Sequence, residues 1–217
     1  MMDRLVPPQV VVAEATQAEW DSALLPEEDR QVARAVSRRR REFAAGRACA
    51  HLALGRLGFP AGPLLSGPDR APVWPEAAVG SITHCPGYCA AAVARRGTVR
   101  SLGVDAELNQ PLPDGVAELV CTQTELAWAA KSARHGTHPG ALIFSAKESV
   151  YKAWQPLTGE WLGYLDAELT IDPDHGVFEA RLLIPKHPAL GSRFSSFRGR
   201  FAVTPTHVLT AVALLDE

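Results

Sequence analysis

Two long helical stretches, each followed by a group of short β-type runs, govern what this chain can fold into. Pro26 ahead of Glu27, Glu28 and Asp29 marks a helix start, because proline suits the first turn and carboxylates suit its positive end. Helical sequence then runs, with room for one break, to about Leu57, where Gly58 and Pro60 stop it. Residues 10–13 predict a strand before it, and residues 60–80, rich in Pro and Gly, predict an irregular loop after it. Residues 81–84 and 90–94 flank a Pro86-Gly87 turn and predict a hairpin, and residues 102–107 predict a further strand. The plan then repeats. Residues 114–134 read as helical, 136–140 as a loop, and 145–154 as a strong helix. Three strand-like stretches close the chain at 161–171, 177–184 and 200–214, the last bent at Thr204-Pro205, with turn chemistry over Asp172 to Gly176. Helix then antiparallel strands, twice over, predicts an α+β fold of two similar halves, at 1–102 and 103–217. No internal sequence repeat is visible.

With 217 residues the chain is long enough for a real core. Its net charge of −2 excludes bulk electrostatic attraction to nucleic acid or an acidic membrane surface. That total conceals an asymmetry. Residues 1–102 carry thirteen basic and ten acidic side chains, a balance of +3, whereas residues 103–217 carry nine and fourteen, a balance of −5. Such a chain is suited to grip an anion with one half and a metal with the other. No apolar run reaches the ~18 residues of a membrane helix, and Met1 to Pro8 lacks the apolar stretch of a secretory signal. Cys49, Cys85, Cys89 and Cys121 are therefore expected as reduced thiols in a cytoplasmic protein. His84-Cys85 with Cys89 lacks a second ligand pair, so zinc is not expected there.

Three segments carry chemistry. In Gly103-Val104-Asp105-Ala106-Glu107 the two acids sit two apart on a strand and project from one face, where they repel unless a cation or protons lie between them. A solvated strand end is the plain alternative. In Phe144 to Trp154, Ser145 with Glu148 matches a capping box, and Glu148 with Lys152 matches a stabilising i,i+4 pair. Helix stabilisation would account for those residues, but not for two of the chain's four lysines, Lys147 and Lys152, falling in one segment of an Arg-rich protein. A compact ammonium suits phosphate contact and proton exchange. The third segment is basic and polar: Arg38 to Arg41, Arg47, Arg70-Ala71-Pro72-Val73-Trp74-Pro75 and Gly80-Ser81-Ile82-Thr83-His84. Arg39 and Arg47, about two turns apart on a helix, can both face one polyanion.

Taken in this order, R-R-R-R-E-F-A-A-G-R, R-A-P-V-W-P, G-S-I-T-H, G-V-D-A-E and F-S-A-K-E-S-V-Y-K-A resemble the 4′-phosphopantetheinyl transferases of the surfactin- and enterobactin-activating type, over about residues 38–165. The resemblance implies transfer of the phosphopantetheine arm of coenzyme A to a serine of an apo acyl or peptidyl carrier protein, with release of adenosine 3′,5′-bisphosphate. It implies Mg²⁺, with Mn²⁺ as an alternative, held by Asp105, Glu107 and Glu148. Glu148 is implied as the base, with Asp105 and Lys152 in the catalytic group. Arg39, Arg47, Arg70, Thr83 and His84 are implied on the coenzyme's 3′-phosphate, and Lys147 and Lys152 near its phosphates. A dock for the carrier is expected over 112–130, where Leu119, Val120, Leu126 and Trp128 are candidates, with core packing the expected fate of most. A monomer suffices for such a site, with no nucleic-acid or membrane partner. Two other classes fit parts of the pattern. A metal-dependent phosphodiesterase or nuclease would use the same three carboxylates, and a non-catalytic module binding coenzyme A or carrier protein would use only the basic half.

Overall fold

Residues 90–94, four alanines and a valine, are all fully buried, because they lie on a strand covered on both faces. The computed structural model describes residues 1–132, 137–185, 187–191 and 195–216. A 3₁₀ turn (Met2–Arg4) leads to β1 (Val11–Glu14), α1 (Gln17–Trp20), α2 (Pro26–Gln31), α3 (Ser37–Arg56), β2 (Ala78–Cys85), β3 (Tyr88–Arg95) and β4 (Val99–Leu108). Then come α4 (Val116–Val120), α5 (Gln123–Ser132) and α6 (Pro139–Thr158). A 3₁₀ turn (Tyr164–Asp166), β5 (Ala167–Asp172), β6 (Val177–Leu182), a further 3₁₀ turn (Pro188–Leu190), β7 (Ser196–Val203) and β8 (His207–Leu215) complete the chain.

The strands form two antiparallel sheets, β1-β3-β2 and β4-β8-β7-β6-β5. Three apolar clusters hold four layers together. Helix α3 packs on one face of the small sheet through Cys49, Ala50, Ala53 and Leu54 against Ala91 and Val93. The other face, with Ala90, Ala92 and Ala94, meets Leu102, Val104 and Ala106 of β4 and Leu209 and Ala211 of β8. The far face of the large sheet carries α6, whose Ile143, Ala146, Val150 and Trp154 meet Phe178, Phe197 and Val212. The architecture is therefore α+β, with helices outside and two sheets between them.

The first helical stretch does take the break it had room for, between α2 and α3. Several other elements differ from expectation for local reasons. Helix α6 begins at Pro139, six residues before Ser145, so Ser145 is interior to the helix and caps nothing. The 200–214 stretch is a hairpin, β7 and β8, turned at residues 204–206, rather than one bent strand. The helical stretch over 114–134 is interrupted at Cys121-Thr122, where the Glu125 carboxylate accepts the Thr122 amide at 2.6 Å; its last two residues, and Gly136 of the expected loop, lie outside the described residues. The expected boundary at 102/103 falls inside β4.

Candidate active site

Alternation along β4 sorts its side chains. Leu102, Val104 and Ala106 enter the core between the sheets, so Gly103, Asp105 and Glu107 turn toward α6. Gly103 makes the approach possible. A Cβ built there would lie 1.9 Å from the Ser149 carbonyl oxygen and 2.8 Å from the Ala153 amide nitrogen. At this contact Asp105 is buried and fully engaged. Ser145 Oγ donates to its Oδ2 at 2.8 Å, and Lys152 Nζ donates to its Oδ1 at 2.7 Å and to the Val104 carbonyl at 3.1 Å. Ser145, Glu148 and Lys152 follow helical spacing along one side of α6. The expected Glu148–Lys152 pair is thus replaced by Lys152–Asp105, because the strand offers the ammonium a closer anion.

Half-buried Glu107 stands beside this group. Burial, then the Asp105 charge, push its carboxyl up to about 7, Lys152 pulls the other way, and Glu148 adds a further upward push. Glu148 accepts a 2.5 Å hydrogen bond at Oε1 from the Tyr164 hydroxyl. Among the described residues no group of three or more His, Cys, Asp or Glu side chains is gathered tightly enough to hold a metal ion. Asp105 is drawn to Lys152 and Glu148 to Tyr164.

The facing wall comes from β2 and α3. Strands β2 and β4 are edges of their sheets, and the Ser81 and Thr83 hydroxyls join them by accepting the Val104 and Ala106 amides at 3.0 and 2.9 Å. Thr83 Oγ1 also lies 3.3 Å from Asp105 Oδ1 and donates to it. Alternation then sends His84 the other way, to α3, where Arg39 Nη1 and His84 Nε2 are 2.8 Å apart. Burial lowers the His84 pKa more than Glu42 raises it, and Arg39, Lys152 and Asp105 all act on it electrically.

The four consecutive arginines separate by face. Arg38 pairs with Glu42, Arg40 with Asp29 and Arg41 with Asp21, leaving Arg39 at His84. Arg47 is buried, lies over the Phe43 ring at 4.2 Å and donates to Ser66 Oγ at 2.8 Å. Its Nε is buried without a hydrogen-bond partner, and burial lowers its pKa to about 10, still cationic at neutral pH. Arg70 is exposed, with φ +67°, at the tip of a loop whose Asp69 accepts a 2.9 Å hydrogen bond from Gln155 of α6.

Two expected phosphate contacts are buried with their polar atoms already engaged. Lys147 is buried, and its ammonium donates to the Val120 carbonyl, Glu125 Oε2 and the Tyr164 carbonyl at 2.9, 2.7 and 2.7 Å. With three donors on three acceptors it is a structural cation. Thr83 is buried on the side of β2 away from His84, and its hydroxyl serves Asp105 and Ala106. Of the expected docking residues, Leu119 is exposed, Val120 is buried, and Leu126 and Trp128 pack on the α6 core. The sequence reading missed Ser145 as a hydrogen-bond donor to Asp105, though its spacing from Glu148 and Lys152 marked the helix face. It also missed Tyr164 and Glu42, which act through contacts remote in sequence. All four cysteines are buried free thiols.

A family model for the 4′-phosphopantetheinyl transferase N-terminal domain matches residues 27–94, and one for the 4′-phosphopantetheinyl transferase superfamily matches residues 101–206. The chain is 51% identical to the 4′-phosphopantetheinyl transferase Svp of Streptomyces mobaraensis, over 99% of this chain and 89% of that one. It is 43% identical to PptT of Mycobacterium tuberculosis, over 88% and 86% of the two chains. With Npt of Nocardia iowensis the identity is 40%, over 98% and 99%. The protein belongs to the 4′-phosphopantetheinyl transferase family, whose members move the phosphopantetheine arm of coenzyme A to carrier proteins.

Proposed function

We propose that this protein transfers the 4′-phosphopantetheine arm of coenzyme A to a serine of an apo acyl or peptidyl carrier protein, using the residues gathered between β4, α6 and β2. The observation that carries this assignment is the gathering of Asp105, Glu107, Glu148 and Lys152 where β4 meets α6, joined by hydroxyl–amide hydrogen bonds to β2, whose His84 lies against Arg39 of α3. The carrier serine oxygen attacks the β-phosphorus in line. A new Ser–O–P bond forms, the pyrophosphate bridge breaks, and adenosine 3′,5′-bisphosphate leaves. A serine hydroxyl is a weak nucleophile, so its proton must be taken as the bond forms. Glu148 accepts it through the carboxylate oxygen that Tyr164 does not hold. Lys152, 27% exposed along its side chain, supplies positive charge to the departing bisphosphate. Asp105 keeps that ammonium at the site until substrate arrives.

On the facing wall Arg39, Arg47, Arg70 and His84 hold the coenzyme's 3′-phosphate. The unpaired buried Nε of Arg47 supports an anion there, since an orphaned donor on a buried cation is costly without one. The donor set suits a hard divalent ion, with only carboxylate oxygens and a Glu107 raised by burial and then by the Asp105 charge. Asp105, Glu107 and Glu148 are the residues that would hold Mg²⁺, drawn together from their Lys152 and Tyr164 partners, and the ion would supply positive charge to the reacting phosphates. No helix among the described residues is long and apolar enough to cross a membrane. We place the protein in the cytoplasm as a monomer, because two halves in one chain complete the cleft.

The test incubates the protein with coenzyme A, Mg²⁺ and apo carrier domains of several types, followed by mass spectrometry of the carrier. A phosphopantetheine mass gain is expected. No gain on any carrier, with hydrolysis of free coenzyme or nucleic acid instead, would establish a phosphodiesterase. Binding without any turnover would leave only a coenzyme-binding module.

A further inference from the structure

Tyr164 lies outside every motif that identifies the family, yet it makes a direct contact with Glu148. It is held three ways. Its carbonyl accepts from the buried Lys147 ammonium at 2.7 Å, and its ring packs against Phe144 at 5.7 Å between centroids. Its turn is closed by the Gly163 amide on Asp166 Oδ2 at 2.8 Å. Lys147 is in turn fixed by Glu125, whose other oxygen accepts the Leu169 amide at 2.7 Å. A rigid chain of contacts therefore runs from the base of β5 through Glu125, Lys147 and Tyr164 to Glu148.

We propose that Tyr164 is the positioning residue for Glu148, its hydroxyl occupying Oε1 so that the second carboxylate oxygen is presented to the reacting serine. This rests on Glu148 as proton acceptor. Satisfying the hydroxyl does not require the contact, because Tyr164 and Glu148 are both only partly buried and water would serve. What water does not provide is direction. A Glu side chain has three rotatable bonds and loses little by wandering, whereas a donor anchored at ring and backbone selects one arrangement. The device also explains why a buried ion pair stands directly behind a catalytic carboxylate. It fixes the backbone from which the tyrosine reaches.

The experiment measures holo-carrier formation with saturating carrier in four variants: Tyr164→Phe, Glu148→Asp, the double variant, and Glu148→Gln. Tyr164→Phe keeps the ring on Phe144 and is expected to lower kcat about ten-fold, the scale of one hydrogen bond to a charged group. KM for coenzyme A and the thermal midpoint should be unchanged. Glu148→Asp withdraws the carboxylate by one methylene, beyond the hydroxyl, so adding Tyr164→Phe to it should cost nothing further. Wild-type kcat in Tyr164→Phe overturns the inference, as does the same ten-fold loss in both backgrounds or a loss confined to KM. Glu148→Gln separates the two readings. If it abolishes turnover while Tyr164→Phe keeps the wild-type kcat, Glu148 keeps its role and Tyr164 loses its own. If Glu148→Gln turns over normally, the proton-acceptor assignment falls.

Discussion

On an α-helix, neighbouring residues are turned by about 100°, and that rotation separates Lys147 from Glu148. Glu148 joins Ser145 and Lys152 on the side facing β4, whereas Lys147 turns to Val120, Glu125 and Tyr164. The two partners of the Lys147–Glu125 pair are 3% and 1% exposed. Lys147→Met removes one partner and leaves a buried carboxylate, so stability should fall by about 3–5 kcal/mol. Urea unfolding checks this, and Lys147→Met with Glu125→Gln should recover part of the loss. A variant with normal stability and a raised KM for coenzyme A would instead return Lys147 to the phosphates. His84 gives a second prediction. Burial lowers its pKa in the folded protein, so below its ordinary value of about 6.5 the unfolded chain binds more protons. Stability is then full above that pH and falls as pH drops through the depressed value. His84→Asn should flatten this part of the acid slope, read as urea midpoints between about pH 5 and 7. Much of the residue scale was legible, because Asp105 and Glu107 obey the two-residue repeat of a strand whatever surrounds it. The same repeat should have set Thr83 and His84 on opposite faces, and the helical repeat should have set Lys147 apart. Tyr164 was not legible. Its contact crosses sixteen residues and a turn, and no local pattern encodes it.

At the scale of elements, the seating of α6 on β4 makes the site. It depends on the absence of a side chain at Gly103. The atoms a Cβ would meet are backbone atoms of α6, which have no rotamer to give. Gly103→Ala must therefore push the helix off the strand. Overpacking of this kind costs about 1–3 kcal/mol, and a displacement near 1 Å is enough to cost about a hundred-fold in rate. Gly55→Ala is the matched control. It lies in α3 with nothing within 4 Å of its Cβ position, and should gain about 0.5–1 kcal/mol with unchanged turnover. Equal behaviour of the two variants would show that the helix–strand contact does not hold the site. The start of α6 shows why this element was partly misread. Ser145 and Glu148 match a capping pattern locally, but the helix starts at Pro139, where proline's missing N–H costs nothing. Tertiary demand then used Ser145 for Asp105 instead. The hairpin of β7 and β8 was read as one bent strand for a related reason, since only pairing distinguishes a bend from a turn.

Across the whole molecule, the two sheets share a core rather than merely touching. Ala90, Ala92 and Ala94 of the small sheet are buried against Leu102, Val104, Ala106 and Leu209 of the large one. The edges are tied further by the Ser81 and Thr83 hydroxyls on β4 amides. Neither sheet can lose the other without exposing an apolar face and unpairing buried backbone groups. Unfolding should therefore be a single transition, coincident by far-ultraviolet circular dichroism and by the fluorescence of tryptophans in both halves, Trp74 and Trp154 among them. A chain ending at residue 102 should fail to fold. The charge split sharpens the point, because the +3 and −5 balances meet where β2, whose His84 pairs with Arg39, is joined to β4, which carries Asp105 and Glu107. A ligand whose phosphates touch both walls must stabilise the joined state as one unit. At about 100 times its Kd, coenzyme A should add about 2.7 kcal/mol to the single transition without splitting it. Two resolved transitions, with only one shifted by coenzyme A, would mean that the halves are separate cooperative units and that the ligand sits on one of them.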